Sequence, residues 1–442
     1  MQPIIRHFSS LRRFCQLSEQ HRLRYLKDPD RNFTRKSPLT FERTVSIVHD
    51  LPRQTLAMEL ANFFRFKPEE IVTKSAFCQR RKLIDPDFFQ HFFHRTAEQF
   101  YTAFPDHHRW KGKHLRAVDG TGQSLPYFTH IGEHFGFHQN QYAARPSTRL
   151  LFTHDVLNNI IWDANFHGHD TAEIIWAYQN VADLPRDAIY IYDRHYASFG
   201  LAYLHHRAGS DYHIRMPPEQ KGTVSEFTQS TDKERIVTID IQQGRSYRKL
   251  KSLNLDPQLH AKFGARLVKV ILDDGTVEIL LTSLTDRVRY PHHDFKWLYN
   301  KRWGVETAIL TLKSYLQLAL ISATTQPGVE QDLWASLAFY NQQSALVAAC
   351  STEVKNRTEH RQYEYRINRN VTAGIIQQFL YTIYLGGPNT WRARTLVLLK
   401  LMPRYTNAYR PDRANERKRK IMRANDRHIH EKIIEKRCKK PT

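Results

Sequence analysis

The sequence predicts a mixed α/β fold: a strand-bearing middle flanked by helical N- and C-terminal regions. Three observations carry this. The apolar period changes from helical to strand-like near residue 113. From there to residue 216 short strands alternate with helices, the pattern of a mixed sheet. Residues 217–290 break that rhythm with two strongly alternating blocks, "ERIVTIDIQQGRSYRKLKSL" and "FGARLVKVILDDGTVEILLTSL", in which "DDGT" is a hairpin turn signal.

The elements follow in chain order. "MQPIIRHFSSLRRF" is basic and weakly amphipathic and lacks a secretory apolar region, so it reads as a first helix rather than a targeting peptide. Residues 39–66 carry apolar side chains at 3–4 spacing. In "TKSAFCQRRKL" (73–83), Thr73 or Ser75 can cap a short helix showing Lys74, Arg80, Arg81 and Lys82. Two readings stand there, an ordinary solvated helix and a DNA-contacting one. "KHLRAVDGTGQSLP" gives a short strand, Leu115 to Val118, ending in Asp119 and a turn. "STRLLFTHDVL" and "NNIIWDANF" pair around Asn158-Asn159. A helix (170–185) leads to a buried strand, Ala188 to Tyr192, that ends in Asp193; helix "FGLAYLHHRAG" and strand "DYHIRMP" follow. After the β-rich insertion a helical stretch runs from about 294 to 318, and the chain stays mainly helical to about 403. From Arg410 on there are 13 Lys/Arg against 5 Asp/Glu, a net of +8, the composition of a disordered basic arm.

Bulk properties narrow the function. The chain has 442 residues, enough for two or three domains, and 25 Phe with 21 Tyr supply a core. Its formal charge of +22 favours a polyanion, nucleic acid before a membrane surface. No apolar run approaches the ~18 residues of a spanning helix, which argues against an integral membrane role. Cys15, Cys78, Cys350 and Cys438 lie far apart with no C-x-x-C, which excludes a zinc ribbon and suggests a reducing compartment. "HGHD" and "HHD" match no established zinc spacing.

Chemistry concentrates at three places. Asp119 and Asp193 follow strands of one α/β unit, where open sheets place functional crevices. Taken alone, each is more readily a turn-former. In "YNKRWGVETAILTLKS", steps of ~100° put Tyr299, Arg302, Glu306 and Lys313 on one stripe roughly 60° wide. Val305, Ala308, Leu312 and Leu316 centre elsewhere and face the core, while Leu310 intrudes on the polar stripe. Arg302–Glu306 suits a surface ion pair. Lys313 is too far along for one, and Tyr299 adds little to a solvated face.

That pattern, Y-x2-R-x3-E-x6-K, resembles the signature of the bacterial DDE transposases of insertion-sequence family four. "AVDGTGQSLP" resembles their first-aspartate segment, "YIYDRHYAS" their second, "VEILLTSLTD" the strand closing their β insertion, and "TKSAFCQRRKL" part of their N-terminal region. The resemblance covers about residues 70 to 345. It implies an RNase H-like catalytic core interrupted by a β domain, and a triad of Asp119, Asp193 and Glu306. Three carboxylates in a basic protein can hold two Mg²⁺ or Mn²⁺ ions that activate water or a 3′-hydroxyl and stabilise the leaving oxygen. Arg302, Lys313 and Tyr299 would then grip phosphates near the cleaved end.

The expected organisation is a helical DNA-binding region (1–108), a core (109–216 and 291–350), the insertion (217–290) and a helical C-terminal region with a basic tail (351–442). The expected partners are double-stranded DNA, as element ends and target, and a second copy of the chain in the DNA complex. The expected location is the bacterial cytoplasm, on the nucleoid when DNA is bound. His195 stands where a glycine is common, and Gly122 where a second hydroxyl residue is common. The insertion has no Trp for stacking a flipped base, leaving Tyr247 or Phe263 as substitutes. The alternatives are an inactive or domesticated DNA-binding copy and a metal-dependent nuclease of the same fold.

Overall fold

In the computed structural model, the middle of the chain forms one nine-stranded mixed sheet. The structure describes residues 2–410 apart from residues 17–18, 51–54, 66, 140–143, 169–171, 243, 256–261, 273, 317, 319–320 and 322. The basic tail beyond Arg410 and the last two residues of "HGHD", His169 and Asp170, therefore lie outside the described residues.

The strands are β1 (His114–Ser124), β2 (Phe137–Gln139), β3 (Ala144–Asp155), β4 (Ile160–Gly168), β5 (Ala188–Tyr192), β6 (Asp211–Met216), β7 (Glu234–Asp240), β8 (Lys262–Ile271) and β9 (Val277–Thr282). Their order is β4-β3-β1-β5-β6-β9-β8-β7, with β2 pairing the start of β3. β1, β5 and β6 run parallel and every other neighbour is antiparallel. The parallel strands are joined by helices, Glu173–Asn180 between β4 and β5 and Phe199–Ala208 between β5 and β6. Parallel strands must be covered on both faces, and β5 is buried throughout. Its alternate residues feed two cores: Ile189 and Ile191 one, Ala188, Tyr190 and Tyr192 the other.

Residues 217–290 do not build a sheet of their own. β9 pairs with β6, so the insertion extends the main sheet, and it adds two helices, Thr223–Gln229 and Arg245–Ser252. The expected substitutes for a stacking Trp fare differently. Phe263 is buried against Tyr203 and His206, so it cannot take a base, while Tyr247 is half-buried on the Arg245–Ser252 helix.

The N- and C-terminal helices share one core. Pro3–Cys15 packs on Asp87–Ala103 and Arg369–Leu385, and Gln326–Thr358 runs 33 residues through the middle. That long helix buries polar side chains, each of which finds a partner. Asn341 both accepts from Ile161 N (2.8 Å) and donates to Ile161 O (2.9 Å), which pins it to β4. A short two-stranded ribbon, β10 (Glu364–Ile367) with β11 (Thr406–Tyr409), interrupts the C-terminal region, which was expected to be mainly helical to about 403.

The Lys74–Arg81 helix forms as expected, with Thr73 accepting from Ala76 N at 3.1 Å as its cap. Its face differs from the expectation. Lys74 and Lys82 are exposed and Arg80 is half-buried, stacked on Phe33 and donating to Leu39 O. Arg81 is only 6% exposed: it donates to Gln331 Oε1 (2.8 Å) and Gly328 O (3.1 Å) and pairs with Asp332 (2.8 Å). Assigning Arg81 to DNA is thus corrected, because its guanidinium ties this helix to the central one. Removing one partner of a buried ion pair typically costs about 3–5 kcal/mol. Arg81→Ala should lower the thermal denaturation midpoint clearly, while Lys74→Ala and Lys82→Ala leave it nearly unchanged; equal midpoints for all three would refute the tie.

Candidate active site

The two aspartates meet through strand register. β1 and β5 pair in parallel up to Val118↔Tyr192, so Asp119 and Asp193 are the next residues on adjacent strands. The sequence reading ends the first strand before Asp119. In the structure β1 continues to Ser124, because β3 keeps pairing with it (Asp119↔Phe152) after β5 has stopped. Asp193 leaves the sheet and caps a short turn, Arg194–Tyr196, accepting from His195 N at 2.8 Å.

Side chains alternate along a strand. Leu115, Ala117 and Asp119 therefore face the core that holds Val305 and Ala308, the buried face of the Trp303–Leu310 helix, and Leu312 just beyond it. Val118 and Gly120 face the other core, under the Glu173–Asn180 helix. One pocket of about 540 Å³ opens where the two faces meet. Its lining includes Asp119, Gly120, Arg149, Glu173, Asp193, His195, Arg302 and Glu306.

The segment 299–314 is not one continuous α-helix. Asp294–Asn300 ends, Lys301 and Arg302 turn, Trp303–Leu310 follows, and Thr311–Tyr315 widens into a π-helix. Steps of ~100° therefore do not carry from Tyr299 to Lys313, and the single stripe is corrected into three positions. Arg302 and Glu306 line the pocket together, Arg302 Nη2 donating to Glu306 Oε1 at 2.9 Å. Lys313 reaches the end of β1 instead, where its ammonium donates to Thr121 Oγ1 and Gly122 O; burial lowers its pKa. Tyr299 is 3% exposed, against His213 and 5.8 Å from the Arg302 guanidinium, and so lies off the pocket wall. Leu310 is exposed, as its place on the polar side predicts.

Electrostatics mark Asp119. Burial pushes its carboxyl up to about 6; Asp193 and Glu173 add to this, while Gly120 N–H and Arg302 oppose it. His195 is exposed, with Nδ1 2.8 Å from Asp193 Oδ2, and that carboxylate holds its pKa above the ordinary value. The donor set suits hard divalent cations: several carboxylates on one wall, one of them uncomfortable as an anion. Among the described residues, no three His, Cys, Asp or Glu side chains already converge as an ion site. Glu306 in particular is held by Arg302.

The sequence reading missed three residues here. Arg149, Glu173 and Tyr196 line or brace the pocket, Glu173 accepting from Arg149 Nη1 (3.3 Å) and from the Tyr196 hydroxyl (3.1 Å). Tyr196 lies inside the quoted second-aspartate segment. Arg149 and Glu173 lie in no motif, and only the fold joins them.

A sheet with carboxylates at the ends of its parallel strands, beside a cation–carboxylate helix in a basic chain, is a class of site suited to divalent cations and a polyanion. Residues 110–342, more than half of the chain, match the family of the Transposase DDE domain, and the chain belongs to that family. It is 27% identical over 281 residues to the Transposase InsG for insertion sequence element IS4 of Escherichia coli (strain K12), covering 61% of this chain and 60% of that protein. The resemblance to insertion-sequence family four is thus borne out. The chain spans about three-fifths of that relative's length. Against solved structures, the piggyBac transposase synaptic complex with hairpin DNA aligns with a TM-score of 0.47 and 9% identity, over 94% of this chain and 88% of that one.

Because the folded-state pKa of Asp119 is raised, its charged form destabilises the fold at neutral pH, and this cost disappears below the unfolded pKa. Asp119→Asn should stabilise the metal-free protein near pH 7.5, by up to roughly 2–3 kcal/mol, and change it little below about pH 4. Melting curves across that range check this; a variant melting lower near pH 7.5 would contradict the burial argument.

Proposed function

We propose that the protein is a DNA transposase that binds the terminal inverted repeats of its own insertion sequence and carries out metal-dependent cleavage and strand transfer. The observation that carries this is the single pocket holding Asp119, Asp193 and Glu306 with Arg302, in a chain of the transposase DDE domain family. The strand order supports an RNase H-like core: numbering only β1, β3, β4, β5 and β6, the order is 3-2-1-4-5 with the last two strands parallel to the first.

Asp119, Asp193 and Glu306 would hold two divalent cations, Mg²⁺ or Mn²⁺. Such ions supply an activated water or 3′-hydroxyl and stabilise the leaving oxygen of an in-line displacement. The chain's own residues do the rest. Arg302, braced by Tyr299 and Trp303, keeps Glu306 at the pocket wall and offers its guanidinium to a phosphate. Lys313, whose ammonium donates to Thr121 Oγ1 and Gly122 O near the end of β1, supplies a second cation for phosphate. Tyr299 serves Arg302 from below rather than touching phosphate. In the N-terminal region, exposed Lys74 and Lys82 and half-buried Arg80 carry terminal-repeat recognition. The protein pairs with a second copy on DNA.

The test is Mg²⁺-dependent cleavage of a duplex carrying the element end, with strand transfer of pre-cut ends scored separately. Asp119→Ala, Asp193→Ala and Glu306→Ala should each lose several kcal/mol of charge stabilisation, more than about 10³-fold in rate, while keeping DNA binding. Full activity in Asp193→Ala would overturn the assignment. Cleavage without joining of pre-cut ends would make the protein a nuclease.

Arg302→Ala should reduce end cleavage strongly, because it frees Glu306 and removes a phosphate contact. Leu310→Ala, an exposed apolar change, should leave cleavage near normal. Parity between the two would dismiss the clamp.

A further inference from the structure

We infer that Glu173 is a positioning residue that fixes Asp119 and Asp193 relative to each other, acting through Gly120, Arg149 and Tyr196; this rests on the assignment of the two aspartates as metal ligands. Glu173 begins the helix that crosses from β4 to β5. Its two carboxylate oxygens are divided between different segments. Oε1 accepts from Arg149 on β3, and Oε2 accepts from the hydroxyl of Tyr196. Tyr196 closes the turn that Asp193 caps, its backbone N–H donating to Asp193 O at 3.2 Å.

The third contact is with β1. A Cβ placed on residue 120 would lie 2.3 Å from Glu173 Cδ and 2.6 Å from both of its oxygens. Only a glycine beside Asp119 lets the carboxylate sit there. One side chain therefore touches the strand of the first aspartate, the turn of the second, and the strand between β1 and β4. Each of its oxygens takes a hydrogen bond from a different segment, Arg149 on β3 and Tyr196 in the turn of Asp193. Residues that hold ligands in place typically change metal affinity or activity 10–100-fold when removed.

The geometry makes an unusual test available. The atoms that an alanine at 120 would strike are the far end of a flexible side chain. Gly120→Ala should therefore displace Glu173 rather than break the strand, and so act on the same interaction as Glu173→Ala. Five proteins are compared with the full-length wild type: Glu173→Ala, Glu173→Gln, Gly120→Ala, the double variant Gly120→Ala/Glu173→Ala, and Asp119→Asn as the ligand-loss reference. Mn²⁺ affinity is measured by calorimetry, and melting temperature without metal.

Glu173→Ala and Gly120→Ala should each weaken Mn²⁺ binding about 10–100-fold. The double variant should be no worse than the worse single, in affinity and in metal-free melting. Glu173→Gln, which keeps one acceptor and the shape, should lose less than about 10-fold. Full Mn²⁺ affinity in Glu173→Ala would overturn the inference. So would additive losses in the double variant, or a loss in Glu173→Gln as large as in Asp119→Asn, since that would make Glu173 a ligand itself. If the wild type bound no Mn²⁺, the metal-site reading would fail instead, and additivity in metal-free melting would still decide whether Glu173 and Gly120 act as one.

Discussion

The parallel pairing of β1 with β5 is the constraint on which the remainder rests. Strands joined in parallel need a crossover, and here the crossover helix begins with Glu173. They also need cover on both faces, which forces helices onto each side of the sheet. Register then does what no single residue could. It sets Asp119 beside Asp193, and alternation turns Asp119 toward the helix of Glu306 and Gly120 toward the helix of Glu173. The pocket is a by-product of where this pairing stops. β5 ends at Tyr192 while β3 carries β1 five residues past Asp119, leaving an open notch at the carboxyl end of β5.

Much of this was readable from the sequence. The change of period at residue 113, the strand ending in Asp193 and most of the alternation after 217 correspond to elements found, whereas Arg245–Ser252, inside the first alternating block, is a helix. Strand ends and one helical stripe drew attention to Asp119, Asp193, Arg302 and Glu306, the resemblance of their segments to a known family singled them out, and all four line one pocket. Such features are local, so a one-dimensional pattern can hold them. Thr73 capping its helix is legible for the same reason: the donor lies three residues away.

What escaped depends on contacts between distant residues. The charge of Arg81 suggests a surface; its buried partners lie some 250 residues away, at Gln331 and Asp332. Tyr299 sits in a polar motif, yet the turn at Lys301–Arg302 rotates it inward. The π-helix at Thr311–Tyr315 breaks the angular arithmetic that would place Lys313 beside Glu306. Glu173 and Arg149 meet only after the crossover has folded. The insertion misled in another way. Its alternation is real, but pairing between β6 and β9 is a choice of edge that no periodicity announces.

The sharing of one core by both ends of the chain has a temporal side. The first helix is held by the last third: Arg12 donates to Gly386 O at 2.8 Å and Gln16 to Tyr384 O at 3.1 Å. Helices of the first hundred residues likewise lean on Gln326–Thr358. Domains made early in synthesis usually fold early, but this one lacks its packing surface until the ribosome has passed residue 386. The basic helix at 74–81 has only its earlier neighbours, Phe33 and Leu39 among them, on the nascent chain, and Arg81 gains its buried partners when Gln331 and Asp332 emerge, long after both aspartates. The region proposed to recognise DNA is therefore translated before the residues it packs on, and a product truncated ahead of them would carry its charge without its shape.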